Sequence, residues 1–250
     1  METKFWEFSL YFPRELLCYF EVLKTDLKGS LSSQPNCINL SIKDGKYCFL
    51  MAITKESYNK NILMIKEKIA DIIMIYYKPK TIISSIQNFN MKSHDNVVLI
   101  DILTSFDFEE DKNKIISQLS LCEKLFLDSF VNFKLQNLLS SWKETGDLIN
   151  QNSLFMVDKS IKTELIQFLM NGIVSRAEKV KVAFDNDKIL LNGKICQQTL
   201  HYSLYDFDGA LFSLIKNYPK KIEVENYKNF DVNFIQNLHE LFADKVSLVE

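Results

Sequence analysis

The sequence predicts an α+β protein, and three features carry that prediction. Two stretches, near 38–53 and 180–192, alternate apolar and polar residues around a turn-forming Asp44-Gly45 or Asp185-Asn186-Asp187, the pattern of β-hairpins. Most of the chain between them carries apolar side chains at helical spacing. The tail from Tyr205 to Glu250 reads as helix, strand, helix and strand with short links, a packed α/β unit.

In chain order, Trp6, Phe8, Leu10 and Phe12 alternate with Glu7, Ser9 and Tyr11 as a strand that Pro13 ends. Leu16, Phe20, Leu23 and Leu27 recur as one face of a helix, and Gly29 with Ser30 to Gln34 reads as a loop. Ile38, Leu40 and Ile42 then alternate up to Asp44-Gly45, and Tyr47, Phe49, Met51 and Ile53 alternate away from it. Asp-Gly is a strong hairpin signal because both turn residues must accept positive φ.

From Glu56 to Tyr77, residues Ile62, Ile65, Ile69, Ile72, Ile73 and Tyr76 form one helical stripe. Pro79 is expected to interrupt it, with a shorter helix over Thr81 to Phe89. Val97 to Ile100 has strand propensity, but Asp95 as a cap and the helical neighbours favour a helix over Asn96 to Leu103. From Phe108 to Arg176 the chain reads as helical. Ile115, Leu119, Cys122 and Phe126 form one stripe, and Phe130, Phe133, Leu138 and Trp142 a looser one. A polar break is expected around Gly146, before a last helix through Ile161, Leu165, Phe168, Leu169 and Ile173 with Asp158 as its cap.

The second hairpin pairs Val180, Val182 and Phe184 with Ile189 and Leu191, lysines alternating on its outer face. In the tail, Asp206 caps a helix through Phe207, Leu211, Leu214 and Ile215 that Pro219 closes. A strand over Lys221 to Glu225 follows, then a helix capped by Asp231 through Val232, Ile235, Leu238 and Phe242, and a strand at Val246 and Leu248. These elements suggest an N-terminal α+β region over 1–105, a helical middle over 106–176 and a C-terminal α/β unit over 177–250, or one continuous domain. The natural place to look for a pocket is between the helical middle and the C-terminal unit.

Composition sets outer bounds. Hydrophobic residues make up 47% and charged residues 25%, as in a soluble globular protein. The longest apolar runs, such as Ile72 to Tyr77, are far short of the roughly 20 residues that a membrane span needs. No basic segment followed by an apolar one opens the chain, so a cytoplasmic protein is expected. Five cysteines (Cys18, Cys37, Cys48, Cys122, Cys196) are scattered and never paired as C-x-x-C; they read as small buried hydrophobes with one or two surface thiols. The net charge is −2, and only Arg14 and Arg176 are arginines, leaving 28 of 30 basic residues as lysine. Arginine is the usual choice for bidentate contacts to phosphate and guanine, so sequence-specific DNA readout is disfavoured.

Chemical motifs are sparse. The six glycines spell neither G-x-G-x-x-G nor a P-loop, so no cofactor is expected. His94, His201 and His239 stand alone. His201 with Asp206 and Asp208 could shuttle protons or hold a divalent ion, but a helix cap and a first-turn acid explain the two aspartates more simply. Glu109-Glu110-Asp111 matches first-turn acid enrichment rather than a metal site, and Asp185-Asn186-Asp187 lacks the glycine and distal glutamate of a calcium loop. No catalytic, cofactor or metal residue is therefore assigned. Lysines cluster at Lys55, Lys60, Lys66 and Lys68, at Lys179, Lys181, Lys188 and Lys194, and at Lys216, Lys220 and Lys221. Tyr47, Tyr58, Tyr76 and Tyr77 could be interleaved with the first set to track a phosphate backbone; solvated helix and hairpin faces are the simpler account.

Three local strings resemble the YtxC-like family of sporulation proteins from endospore-forming bacteria. Asn61 to Asn88, with Ile69-Ala70-Asp71-Ile72-Ile73 at its core, looks like that family's N-x-L-A-D-I-I-x-x-x-Y helix and the helix after it. Val131-Asn132-Phe133-Lys134-Leu135 is similar to its F-x-x-x-x-F-R-L string. Ala210 to Val249 resembles its ending, with Pro219-Lys220-Lys221-Ile222 and Leu241-Phe242-Ala243-Asp244-Lys245-Val246. Lys134 and Lys245 stand where the family pattern has arginine, and Asn217-Tyr218 replaces a smaller pair. The resemblance implies a soluble protein connected with spore formation; it implies no activity and carries over no catalytic residue. The expected function is thus a non-enzymatic interaction or regulatory protein with a protein partner. A nonspecific nucleic-acid binder using the lysine faces, or a metal-dependent hydrolase using Asp206 and Asp208, are the alternatives.

Overall fold

The computed structural model describes residues 5–31, 36–43, 45–87, 94–121, 123–151, 159–173, 175, 177–185, 188–192, 194–195 and 208–249. The elements in chain order are β1 (Phe5–Phe12), α1 (Leu17–Ser30), β2 (Asn36–Lys43), β3 (Lys46–Thr54), α2 (Lys55–Ser85), α3 (His94–Ser105), α4 (Phe108–Gln118), β4 (Lys124–Phe126), α5 (Leu127–Lys134), α6 (Gln136–Gln151) and α7 (Lys159–Gly172). They continue with β5 (Lys179–Asp185), β6 (Lys188–Leu191), β7 (Lys194–Ile195), α8 (Asp208–Asn217), β8 (Lys221–Glu225), α9 (Val232–Phe242) and β9 (Val246–Val249). This is an α+β fold with strands at both ends and helices between. The chain divides into two compact units, one of residues 1–81 and 109–142, the other of 82–108 and 143–250.

The first unit is built on a four-stranded sheet in the order β2-β3-β1-β4. β2 and β3 pair antiparallel through the predicted two-residue turn, with Lys43 opposite Lys46 and Gly45 at φ 74°. β3 pairs antiparallel with β1, and β4 pairs parallel with β1. Strand alternation puts Phe8, Leu10, Phe12, Phe49, Met51, Ile53 and Ile38 on one buried face. The α1 stripe of Phe20, Leu23 and Leu27 is buried too, with Phe20 stacked on Phe12 at 4.1 Å. α1 runs through Gly29 and Ser30, the first two residues of the expected loop.

Two expected helix breaks are absent. α2 continues through Pro79 to Ser85. Proline forfeits one backbone bond and crowds the preceding turn, at a cost of about 3 kcal/mol. That turn buries Tyr76, Tyr77, Lys78 and Pro79 itself, and its packing offsets the loss. α6 likewise runs through Gly146. A Cβ there would meet the Ser85 side chain and lie 2.6 Å from the Ile82 carbonyl, so the glycine serves a close approach, not a turn. The helical reading of 106–176 also missed β4, which contains Phe126. Parallel pairing with β1 overrides the helical spacing of Leu119, Cys122 and Phe126.

The second unit holds a five-stranded sheet, β7-β6-β5-β8-β9. β5, β8 and β9 are parallel, and β6 and β7 add antiparallel at one side. Val180, Val182, Ile222 and Val224 enter one core with Leu211, Leu214 and Ile215 of α8 and Phe234, Leu238 and Phe242 of α9. Val98 and Ile102 of α3 join that core, so the ambiguous 96–103 segment is helix. Asp231 caps α9 as expected, accepting from the Asn233 amide at 2.7 Å. The expected caps Asp158 and Asp206, with Phe207, lie outside the described residues.

Candidate functional site

β1 and β4 are in parallel register, Ser9 with Lys124, Leu10 with Leu125 and Tyr11 with Phe126, so their carboxyl ends finish side by side. After β1, Pro13 holds extended backbone and leads into a short 3-10 turn over Arg14–Leu16, closed by the Leu16 amide donating to the Pro13 carbonyl at 3.0 Å. Proline suits this place because its fixed φ starts a turn. Arg14 is thereby set exposed beside the strand end. β4 passes into α5 with no linker: Phe126 is the cap residue, and Leu127, Asp128 and Ser129 form the first turn. From the other side the β2–β3 hairpin brings Ile42, Gly45, Lys46 and Tyr47.

These segments enclose a cleft of about 580 Å³, within the range of small-molecule and short-peptide sites. Tyr11, Phe12, Tyr47 and Phe126 contribute aromatic rings to its walls. Tyr11 and Phe126, in-register neighbours on one sheet face, stack at 4.6 Å, and Phe12 and Tyr47 approach to 6.1 Å on the other. Phe126 remains 42% exposed, and the Lys46 ammonium lies 5.2 Å from its ring centre, a cation–π distance. Among the described residues neither Arg14 nor Lys46 is joined to a carboxylate. Asp128 is anchored instead by the Tyr77 hydroxyl, which donates to its Oδ1 at 2.5 Å. Burial, then the Asp128 carboxylate, push the Tyr77 phenol far above its ordinary range, so Tyr77 remains a donor at neutral pH. The cleft thus offers two cations, one fixed carboxylate and exposed ring surface, an arrangement that binds an anionic group on an apolar body.

The residues that the sequence brought forward lie elsewhere. Within Glu109-Glu110-Asp111, Glu110 pairs with Lys114 at 2.7 Å, four residues on. Asp111 turns inward, its Oδ2 accepting from the buried Lys78 ammonium at 2.9 Å and the Trp142 indole at 2.8 Å. His239 is exposed on α9. His201, Asp206, Asn186 and Asp187, and the side chains of His94, Asp185 and Asp208, lie outside the described residues. Among the described residues no group of three or more His, Cys, Asp or Glu side chains could hold a metal ion, and no helix is long and apolar enough to cross a membrane. Cys48 is buried, Cys18 half-buried and Cys37 exposed; burial raises the Cys48 thiol above its ordinary value.

The lysine clusters are laced with acids. Lys179 pairs with Glu223 at 2.6 Å, Lys181 with Glu225 at 2.7 Å, Lys221 with Glu223 at 3.0 Å and Lys220 with Glu178 at 2.5 Å. The β5–β8 surface is therefore a lattice of alternating charge and not a cationic stripe. Lys60 and Lys68 pair with Glu56 and Asp26. Of the four tyrosines, Tyr58 stacks on Trp6 at 4.1 Å and Tyr76 and Tyr77 are buried; only Tyr47 lines the cleft. The signals for the cleft were present in the sequence as the aromatic alternation of Trp6 to Phe12 and one of only two arginines just after it, but nothing local joined them to Phe126. Comparison with protein-family models, curated proteins and solved structures returned no match.

Proposed function

We propose that this chain is a non-enzymatic interaction protein that holds a protein partner in the cleft at the carboxyl ends of β1 and β4. One observation carries the reading: Arg14 and Lys46, without carboxylate partners among the described residues, line one cleft with the half-exposed Phe126 ring, Lys46 directly beside that ring. A cation beside an exposed aromatic is what interface anchors are made of. The resemblance of the strings around Ala70, Phe133 and Lys220 to the YtxC-like family supports spore formation as the setting and the cytoplasm as the compartment.

A pull-down of the tagged protein from sporulating cells of an endospore-forming bacterium, with nuclease and salt controls, tests this. A partner recovered after nuclease by wild type, and lost from Arg14→Gln and Phe126→Ala proteins that remain folded, is the expected result. Equal recovery by all three proteins would refute the cleft. Recovery of nucleic acid alone, lost at moderate salt, would move the function to the lysine faces.

A further inference from the structure

The charges and walls of the cleft also restrict what can occupy it, and this inference rests on the cleft being the binding site. We propose that its occupant is an acidic peptide segment of the partner, presenting a side-chain carboxylate next to an aromatic or branched apolar side chain. Among the described residues, Arg14 and Lys46 against Asp128 leave a single positive charge in the lining, which matches one carboxylate and not a polyphosphate. The Arg14 guanidinium offers a planar fork suited to a carboxylate. Phe126, stacked on Tyr11 and otherwise half in water, gives an apolar side chain a surface to cover.

Asp128 extends the argument to a peptide. Its fixed carboxylate would repel a lone anion, but it can accept from backbone N–H groups, which every peptide carries and a simple acid does not. Phosphate cradles are built from runs of backbone N–H in glycine-rich loops. Among the described residues Gly45 is the one glycine lining the cleft, and it sits in the hairpin turn at φ 74°, so no glycine-rich run lines it.

Fluorescence anisotropy on the full chain tests the proposal. The probe is a fluorescein-labelled peptide of alternating glutamate and phenylalanine, compared with its glutamine counterpart, with ATP and inorganic phosphate as competitors. The glutamate peptide is expected to bind, to weaken with salt, and to lose about tenfold in affinity on Arg14→Gln or on exchange of its glutamates for glutamine. Phe126→Ala should weaken both peptides, and Lys220→Gln, far along the chain in the second unit, should weaken neither. Equal affinity for the two peptides, displacement by ATP or phosphate at lower concentration than unlabelled peptide, or no binding at all would each overturn it. If the probe fails while the pull-down partner still depends on Arg14 and Phe126, the peptide class is wrong and the cleft stands. If that partner is indifferent to both, the cleft itself fails.

Discussion

Asp111 is a member of an acidic run whose neighbours face water, yet it lies 6% exposed between Lys78 at 4% and Trp142 at 2%. A buried charge is tolerated only when it is paired and hydrogen-bonded. Removing one partner leaves the other desolvated, so Asp111→Ala should cost about 3–5 kcal/mol. Trp142→Phe keeps most of the packing and deletes only the indole donor, and about 1.5–3 kcal/mol is expected. Urea unfolding of the three proteins checks the order, and equal midpoints for wild type and Asp111→Ala would show that the pair carries no stability. Gly146 is a second position where one atom decides. Gly146→Ala would improve helix propensity on an isolated helix, but here the methyl meets Ser85 and the Ile82 carbonyl. Overpacking of this kind costs roughly 1–3 kcal/mol, so a lower thermal midpoint is expected where propensity alone predicts a higher one.

The β5–β8 pair shows the same competition one level up. Parallel register sets Lys179 beside Lys221 and Lys181 beside Glu223, and the side chains resolve this into pairs running diagonally to Glu223 and Glu225. The hydrogen bonds from Lys179 and Lys221 hold the Glu223 carboxyl down at about 2, below the ordinary carboxylate range. A depressed carboxylate contributes stability that is fully present above its unfolded value and is lost as pH falls through the folded one. The contribution of Glu223 should therefore fade between about pH 4.5 and pH 2. Urea midpoints of wild type and Glu223→Gln should converge over that window, and a constant gap down to pH 2 would show that the ion pairs do not set its titration. Most elements were legible because their cause is local. Asp44-Gly45 dictates a hairpin, and Asp231 a helix start; Asp231→Ala should lower stability by about 1 kcal/mol. β4 was illegible because a three-residue strand exists only through its partner β1. Pro79 and Gly146 misled for the related reason that tertiary packing outweighs a local breaking tendency.

Across the whole chain, the two sheets were visible as pairs of strands, but the cleft was not. Its described residues come from 11–14, from 42 and 45–47, and from 126–129, and only the register of β4 on β1 brings the last set to the others. Sequence periodicity reports which face a residue lies on, not which distant strand end lies beside it. Each unit has its own sheet and its own buried apolar set, with Leu10 in the first and Ile222 in the second both fully buried. Truncating either to alanine should cost about 2–5 kcal/mol, because transfer and cavity penalties add. Global stability alone would not distinguish them, but native-state hydrogen exchange does, since local openings are confined to the unit whose contacts are weakened. Leu10→Ala is expected to raise exchange in β1, β3 and β4 more than in β5 and β8, and to weaken binding at the cleft although no lining residue has changed. Ile222→Ala should do the reverse, raising exchange in β5, β8 and β9 while leaving cleft affinity intact under native conditions. A uniform rise over both sheets in either protein would mean that the two units open together, and that a partner held in the cleft is coupled to the second sheet as well.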